Sequence, residues 1–205
     1  MFTVQNKTEL KQIIKLVNET YNELTSIYYK SGTHSSMNYK KLELIEASSS
    51  TKFLLEAIEY MKFMSNHSLD DCMIQLIEKR IRSRVKSLGS FHEKISQYIS
   101  NPKTHGKVIV NKSINDLVGV RFLVYDLNNN LDDYIKFLEE LKNTIFSNIY
   151  RPYIKNKSNS SYCAIHFYLK DDNKHFPWEI QLWDPNSVEN NKKEHSKHEK
   201  NRTKY

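Results

Sequence analysis

Glycine is scarce in this sequence: 205 residues include only four, at positions 32, 89, 106 and 119. A Walker loop or a dinucleotide-binding loop needs several glycines within a few residues, and these four are too far apart to build one. A nucleotide-binding chain without such a loop must hold the phosphates with Lys and Arg side chains, whose guanidinium faces can also stack on a base. Clustered basic side chains are therefore the candidates for a phosphate site.

One such cluster lies in the stretch RVKSLGSFHEKI, residues 84–95. Arg84, Lys86, Ser90 and Lys94 recur there at short spacing, between an apolar run and an amphipathic helix. This spacing favours a polyphosphate site built from side chains. The plainer interpretation is the solvated, capped N-terminus of a helix.

Length and composition indicate a soluble protein with one main domain. No Pro/Gly/Ser-rich linker divides the chain, and we expect a helical segment over residues 1–70 packed on a domain of residues 71–205. The mean hydropathy of -0.68 and the absence of a leader-like apolar stretch favour the cytoplasm and no membrane association. Two isolated cysteines, Cys72 and Cys163, do not suggest a disulfide framework or a zinc site. The net charge of +7 favours a polyanionic partner.

The hydrophobic periodicity predicts an α+β fold. Apolar residues at helical spacing predict helices over residues 7–30, 39–65 with a break at 48–50, 87–100 and 131–146. Short apolar or alternating runs predict strands from residue 73 to the Arg84 cluster and over 118–125, 148–155, 163–170 and 177–183. A turn or short helix is expected at 113–117 and a polar helix over 185–205. The expected architecture is a mixed, mostly antiparallel sheet of about five strands flanked by helices.

Two acidic residues are candidates for metal binding and catalysis. Asp116 lies just before a predicted buried strand and Glu179 lies on another, so their carboxylates can converge at one edge of the sheet. Mg²⁺ needs only one or two protein carboxylates near a triphosphate, and Glu179 could also accept a proton from an attacking hydroxyl. The alternatives are a turn cap for Asp116 and an edge charge for Glu179.

Tyr162 and His166 are candidates for contacts with a second substrate. Strand alternation places them on one face together with Ala164. A tyrosine ring can stack on a base, and an imidazole can contact a phosphate or a ribose hydroxyl. Packing residues of a half-buried strand are the alternative.

Five sequence blocks, taken in order, match a known family. They are Arg84-Val-Lys-Ser with Ser90 and Lys94, Asp116-Leu-Val-Gly-Val-Arg121, Tyr162-x-Ala164-Ile-His166, Glu179-Ile-Gln181 and Glu194-His195. Over roughly residues 73–200 the chain resembles the RelA/SpoT-type nucleotide pyrophosphokinase domain, in particular the single-domain small alarmone synthetases. The resemblance implies that a ribose 3′-hydroxyl attacks the β-phosphorus of ATP, which transfers pyrophosphate and releases AMP.

The resemblance also implies roles on the ATP side. Arg84 and Arg121 would sandwich the adenine. Lys86, Ser90 and Lys94 would bind the phosphates. Positive groups and Mg²⁺ would stabilise the charge that spreads over the phosphoryl oxygens.

For catalysis and the acceptor, the resemblance implies a second set of residues. Asp116 would bind Mg²⁺, and Glu179 would share the metal or activate the acceptor hydroxyl. Tyr162 would stack on the acceptor base. The supporting acceptor residues would be His166, Gln181 and His195.

Departures from the family pattern bear on the acceptor. Alarmone synthetases usually carry Arg-Thr shortly after Glu-Ile-Gln and an Asn nine residues beyond the Glu, and here these positions hold Trp183, Asp184 and Val188. Ser-Tyr-Cys at 161–163 also replaces the usual Gly-Tyr-Arg. These departures weaken the case for guanine recognition and look more like the toxic small alarmone synthetases, some of which modify the 3′-CCA end of tRNA.

We therefore expect tRNA as the acceptor and a translation-inhibiting toxin as the function, which the positive charge suits. An antitoxin protein and self-association are further partners compatible with this function. The alternatives are an alarmone synthetase that makes (p)ppGpp from GDP or GTP, and a catalytically silent RNA-binding module. Candidate tRNA contacts are Lys30, Lys40, Lys41, Arg151, Lys155 and Lys157.

Overall fold

The computed structural model describes residues 3–30, 37–67, 80–156 and 162–193. The described α-helices are α1 (Val4–Lys30), α2 (Leu44–Ser49), α3 (Thr51–Asn66), α4 (Leu88–Ser100), α5 (Val110–Ser113) and α6 (Leu131–Thr144), and residues 188–193 are helical as well. The described strands are β1 (Ile81–Val85), β2 (Val118–Leu123), β3 (Ile149–Asn156), β4 (Cys163–Leu169) and β5 (Trp178–Trp183). Short 3₁₀ helices lie at Leu127–Asn129 and Pro185–Ser187.

The five strands form one sheet in the order β1-β2-β5-β4-β3. The central pair β2 and β5 is parallel, and the other three neighbouring pairs are antiparallel. This topology confirms the predicted mixed, mostly antiparallel sheet within an α+β fold.

The register of the sheet places five candidate site residues in two rows on one face, namely Arg84, Arg121, His166, Glu179 and Gln181. One row crosses all five strands, and the second row runs next to it from β1 through β2 and β5 to β4. The first row is Arg82, Arg121, Gln181, His166 and Tyr153, and the second is Arg84, Gly119, Glu179 and Tyr168. Because neighbouring residues of a strand point to opposite faces, the residues between these positions form the other, apolar face.

That apolar face packs against the N-terminal helices. Tyr21 of α1 contacts the ring of Trp178 edge-on at a centroid distance of 5.5 Å, and Trp178 donates a hydrogen bond from Nε1 to the hydroxyl of Tyr60 on α3 at 2.8 Å. All three side chains are fully buried. Burying a large apolar side chain contributes about 1.5–3 kcal/mol, so these contacts hold the helices firmly on the sheet.

Of two local predictions, one is confirmed by the structure and the other is wrong in its position. The predicted break at 48–50 is present because Ser50 ends α2 and caps α3, accepting a hydrogen bond from the Phe53 N–H. The predicted turn or helix at 113–117 was misplaced, since the helix ends at Ser113. The Ser113 hydroxyl donates back to the Ile109 carbonyl, and Asn115 and Asp116, which favour turns, follow outside the helix.

Some predictions fall on residues outside the described part of the chain. They concern the boundary near residue 70, the beginning of the first strand at 73, Lys157, and the terminal segment from Glu194 that includes His195. Of the helices that the structure describes, none has both the length and the apolar character needed to cross a membrane.

Candidate active site

The junction between β1 and α4 brings the predicted phosphate-binding residues together. Ser87 is the N-cap of α4, and its hydroxyl oxygen accepts a hydrogen bond from the Ser90 backbone N–H at 3.2 Å. Ser90 and Lys94, four residues apart, lie on one face of the helix. The N-terminus of a helix favours anions, so the backbone here would add to the attraction of these side chains for a phosphate group.

Lys86, Lys94 and Asp116 form a charge cluster beside this helix. The Lys86 ammonium lies 3.0 Å from Asp116 Oδ2, and the Lys94 ammonium lies 2.8 Å from Oδ1. The three side chains are only 4%, 14% and 15% exposed, in the order Lys86, Lys94 and Asp116. Burial opposes the charge of Asp116, but the two ammonium groups outweigh it and hold the pKa of the carboxyl below its usual value. The cluster therefore carries a net positive charge, as a polyphosphate site requires.

Three arginines line a groove next to the charge cluster. Arg82, Arg84 and Arg121 border a cavity of about 160 Å³ together with Gly119 and Gln181. Arg84 lies across Gly119, because a Cβ atom at that glycine would be 3.3 Å from Arg84 Nε. Burial and the neighbouring Arg84 lower the pKa of Arg121 to about 10, so it stays charged at neutral pH. Sequence reasoning singled out Arg84 and Arg121 but missed Arg82, which strand alternation places on the same face as Arg84.

Glu179 is an ionised carboxylate held by neutral partners. It is 7% exposed, and its two oxygens accept hydrogen bonds from His166 Nδ1 at 3.0 Å and Gln181 Nε2 at 2.8 Å. Burial opposes its charge, but the bond from His166, the charge of Lys155 and the bond from Gln181 outweigh burial and hold its pKa below the usual value. Burial also lowers the pKa of His166, which is therefore neutral and donates from Nδ1.

Tyr162 completes a ring of contacts around Glu179. Its hydroxyl lies 2.9 Å from His166 Nε2, the acceptor nitrogen of that neutral imidazole, and its ring meets Trp183 edge-on. Trp183 in turn donates from Nε1 to Gln181 Oε1 at 3.1 Å. Because Tyr162 is only 3% exposed, stacking on a base would require its ring to turn outward.

A second, larger cavity opens beyond Glu179 on the same face of the sheet. It measures about 320 Å³, and Tyr168, the cross-strand neighbour of Glu179, lines it. Its basic lining residues are Lys40, Lys112, Arg151 and Lys170. The sequence suggested Lys40 and Arg151 but not Lys112 or Lys170, because chain segments far apart in sequence meet here. Lys30 and Lys41 do not line this cavity, and Lys155 influences the site through its charge on Glu179.

Asp116 and Glu179 are the two residues of this site that could hold a metal ion beside bound phosphates. Within the described ranges, no group of three or more His, Cys, Asp or Glu side chains converges on a metal site. Mg²⁺ keeps several waters and takes one or two carboxylates plus substrate phosphates. Asp116 and Glu179 supply such oxygens, and the basic groups beside them suit the phosphates.

Arginines, paired lysines and two ionised carboxylates thus lie close together, and side chains of these types are suited to binding a nucleoside polyphosphate without a glycine-rich loop. A family model described as a region found in RelA / SpoT proteins matches residues 83–203. Because this range is more than half of the chain, the protein belongs to the RelA/SpoT family. The match confirms the predicted family and with it the enzyme class, an ATP-dependent pyrophosphotransferase.

Solved structures show similar chains at low identity. Small alarmone synthetase 1 from Bacillus subtilis bound to its product pppGpp is 18% identical, with 73% of this chain and 80% of that chain covered and a TM-score of 0.39. The same protein bound to AMPCPP is 17% identical, with 70% and 74% covered and a TM-score of 0.33. A search of curated protein sequences finds no match to this chain. Identities this low do not transfer a substrate from one protein to another.

Proposed function

We propose that this protein transfers pyrophosphate from ATP to a ribose 3′-hydroxyl, and that the acceptor is the 3′-CCA end of tRNA. The observation that carries the proposal is that the arginine groove and Glu179 lie on one face of the sheet, with the lysine-rich charge cluster beside them at the junction of β1 and α4. The base would bind in the arginine groove, the phosphates would bind at the charge cluster, and the attacking hydroxyl would lie at Glu179.

On the donor side, the adenine would bind between the guanidinium groups of Arg84 and Arg121. Lys86, Lys94 and the Ser90 hydroxyl would bind the phosphates through hydrogen bonds, which are strongest where the donor is charged. Mg²⁺, held by Asp116 and Glu179 with the phosphates, would supply charge stabilisation at the phosphoryl oxygens.

On the acceptor side, Glu179 would orient the attacking hydroxyl. Because its pKa is held below the usual value, Glu179 is ionised at physiological pH, and its oxygens can accept a hydrogen bond from that hydroxyl. The hydroxyl oxygen would form a bond to the β-phosphorus, its proton would pass by way of the Glu179 carboxylate to water, and AMP would leave with the oxygen that bridged the α- and β-phosphorus atoms. Tyr162, His166 and Gln181 would define the position of the acceptor base and ribose.

The basic cavity beside Tyr168 supports an RNA acceptor. Lys40, Lys112, Arg151 and Lys170 line it a short distance from Glu179 in the sheet. Each phosphate that such residues neutralise adds salt-dependent affinity, and the net charge of +7 acts in the same direction. Blocking the 3′ end of tRNA would prevent aminoacylation, so the protein would act in the cytoplasm as a toxin, with an antitoxin as a natural partner.

A second candidate acceptor is GDP or GTP, which would make the protein a (p)ppGpp synthetase. The cavity volume of about 320 Å³ favours it, because it falls in the range of small-ligand pockets. The family match is compatible with both acceptors.

An acceptor assay decides between the two. The protein is incubated with γ-³²P-ATP and with deacylated tRNA, GDP or GTP, and periodate-oxidised tRNA serves as the control without a free 3′-hydroxyl. We expect label on intact tRNA only, with Lys112→Ala and Arg151→Ala reducing tRNA labelling and Lys136→Ala, an exposed lysine of α6, leaving it unchanged. Label on GDP or GTP with none on tRNA would establish the alarmone alternative.

A further inference from the structure

Trp183 contacts both halves of the proposed site. It is fully buried at the end of β5, and the Arg121 guanidinium carbon lies 3.5 Å from the centroid of its ring. Its indole N–H donates to Gln181 Oε1, and the ring of Tyr162 meets it edge-on at a centroid distance of 5.9 Å.

The indole face determines how Arg121 is held. A separation of 3.5 Å places the guanidinium in stacking contact, where cation–π attraction and the flat shapes of both groups favour one orientation. Arg121 Nε is buried and has no hydrogen-bond partner among the residues that the structure describes. The ring therefore takes the place of a hydrogen-bond acceptor in holding this guanidinium at the groove that it shares with Arg84.

The indole N–H determines how Gln181 is oriented. Because Gln181 Oε1 accepts the bond from Trp183, its amide NH₂ group must point the other way, where it donates to Glu179 Oε2 at 2.8 Å. Trp183 thus contacts Arg121 with the face of its indole ring and, with its N–H, the Gln181 amide that donates to Glu179.

We propose that Trp183 is a positioning residue that aligns Arg121 for adenine stacking and, through Gln181, orients Glu179 for the transfer step. When ATP binds, the adenine enters a stack made of Arg84, the base, Arg121 and the indole. The proposal rests on the ATP site of the proposed function and adds to it a residue at a position where the resembling synthetases usually carry Arg.

Two variants separate the two roles. Trp183→Phe keeps an aromatic face under Arg121 but removes the N–H, whereas Trp183→Leu removes both. For a non-hydrolysable ATP analogue measured by calorimetry, we expect Kd to rise about tenfold in Trp183→Leu and less than about threefold in Trp183→Phe. Both variants should lose about three- to tenfold in kcat, because Gln181 loses its donor.

Fluorescence supplies a readout that a merely structural role would not change. The chain has two tryptophans, and Trp178 lies on the opposite face of the sheet, hydrogen-bonded to Tyr60. Addition of the analogue should change the tryptophan emission of the natural protein and leave that of Trp183→Phe unchanged. Circular dichroism and thermal melting establish that each variant is folded.

The outcomes distinguish this inference from the proposed function. If the natural protein neither binds the analogue nor transfers label, the proposed function fails and the inference fails with it. If the natural protein is active but Trp183→Leu binds the analogue equally well, the positioning role alone is wrong. If Trp183→Leu does not fold, Trp183→Phe decides: a retained emission change or an unchanged kcat overturns the proposal.

Discussion

Replacing Asp116 with Asn tests the buried charge cluster directly. The substitution preserves the shape of the side chain and removes its negative charge. The ammonium groups of Lys86 and Lys94, at 3.0 and 2.8 Å in the structure, would then face a neutral amide. Lys86 is 4% exposed, so water can compensate for little of the lost pairing.

The expected loss of stability is large for one polar substitution. Removing one partner of a buried ion pair typically destabilises a protein by about 3–5 kcal/mol. Two features place the expectation at the lower end, about 3 kcal/mol: Lys94 retains access to solvent, and the Asn oxygen still accepts one hydrogen bond. Burial also lowers the pKa of Lys86, which eases the loss of its charge in the variant.

The stability difference between the natural protein and Asp116→Asn should depend on pH in a definite direction. The lysines hold the pKa of Asp116 below its usual value, so its stabilising contribution is fully present above the unfolded pKa of about 3.9. This contribution disappears as the pH falls through the pKa that Asp116 has in the folded protein, which lies below the unfolded value. The difference in unfolding free energy between the natural protein and Asp116→Asn should therefore be constant near neutral pH and shrink in acid.

Urea unfolding at neutral and acidic pH measures both quantities. Glu59→Gln, on the exposed side of α3, is the control and should change the unfolding free energy by less than about 0.5 kcal/mol. Adding Lys94→Met to Asp116→Asn should recover part of the lost stability, because the effects of substitutions at contacting residues are not additive. An Asp116→Asn variant as stable as the control, or a difference that persists undiminished in acid, would refute the reasoning.

Three further predictions concern the catalytic face. Glu179→Gln should lower the rate of pyrophosphate transfer by more than about tenfold while calorimetry still detects ATP binding; activity within that limit would remove Glu179 from catalysis. Tyr162→Ala should weaken the acceptor by about 1–3 kcal/mol in KM measurements, and loss of ATP affinity instead would contradict its assignment. Gly119→Ala should weaken ATP binding because its Cβ would lie 3.3 Å from Arg84 Nε and force that side chain to shift, and unchanged affinity would show that Arg84 binds ATP in another position.

Local patterns predicted most of the fold. Helical spacing of apolar residues marked α1, α3, α4 and α6, and short β-branched runs marked the strands, because both patterns follow from which face is buried. The strand order could not be predicted in the same way. Glu179 pairs with Gly119, sixty positions earlier in the chain, and nothing local to either strand specifies that β5 inserts between β2 and β4.

The sequence predicted those features of the site that depend on local patterns, but not the contacts that depend on how the strands pair. Alternation correctly placed Tyr162 and His166 on one face, where their side chains are hydrogen-bonded. The stacking of Arg121 on Trp183 was not predicted, because it depends on the parallel register that sets Leu123 beside Trp183 and Arg121 beside Gln181. The sequence also did not indicate that Lys86 and Lys94 would form ion pairs with Asp116 in the absence of a bound phosphate.

The two carboxylates of the site differ in the partners that hold them, and this difference suits different roles. Asp116 is held by charged, flexible lysines, whose ammonium groups can turn to phosphate oxygens and leave the carboxylate to a metal ion. Glu179 is held by the neutral His166 and by Gln181, both fixed in the sheet, so its position and charge persist whether or not phosphates are present. Under the proposed function, binding of phosphate and metal would therefore be coupled at Asp116, while Glu179 would keep its position and charge for orienting the attacking hydroxyl.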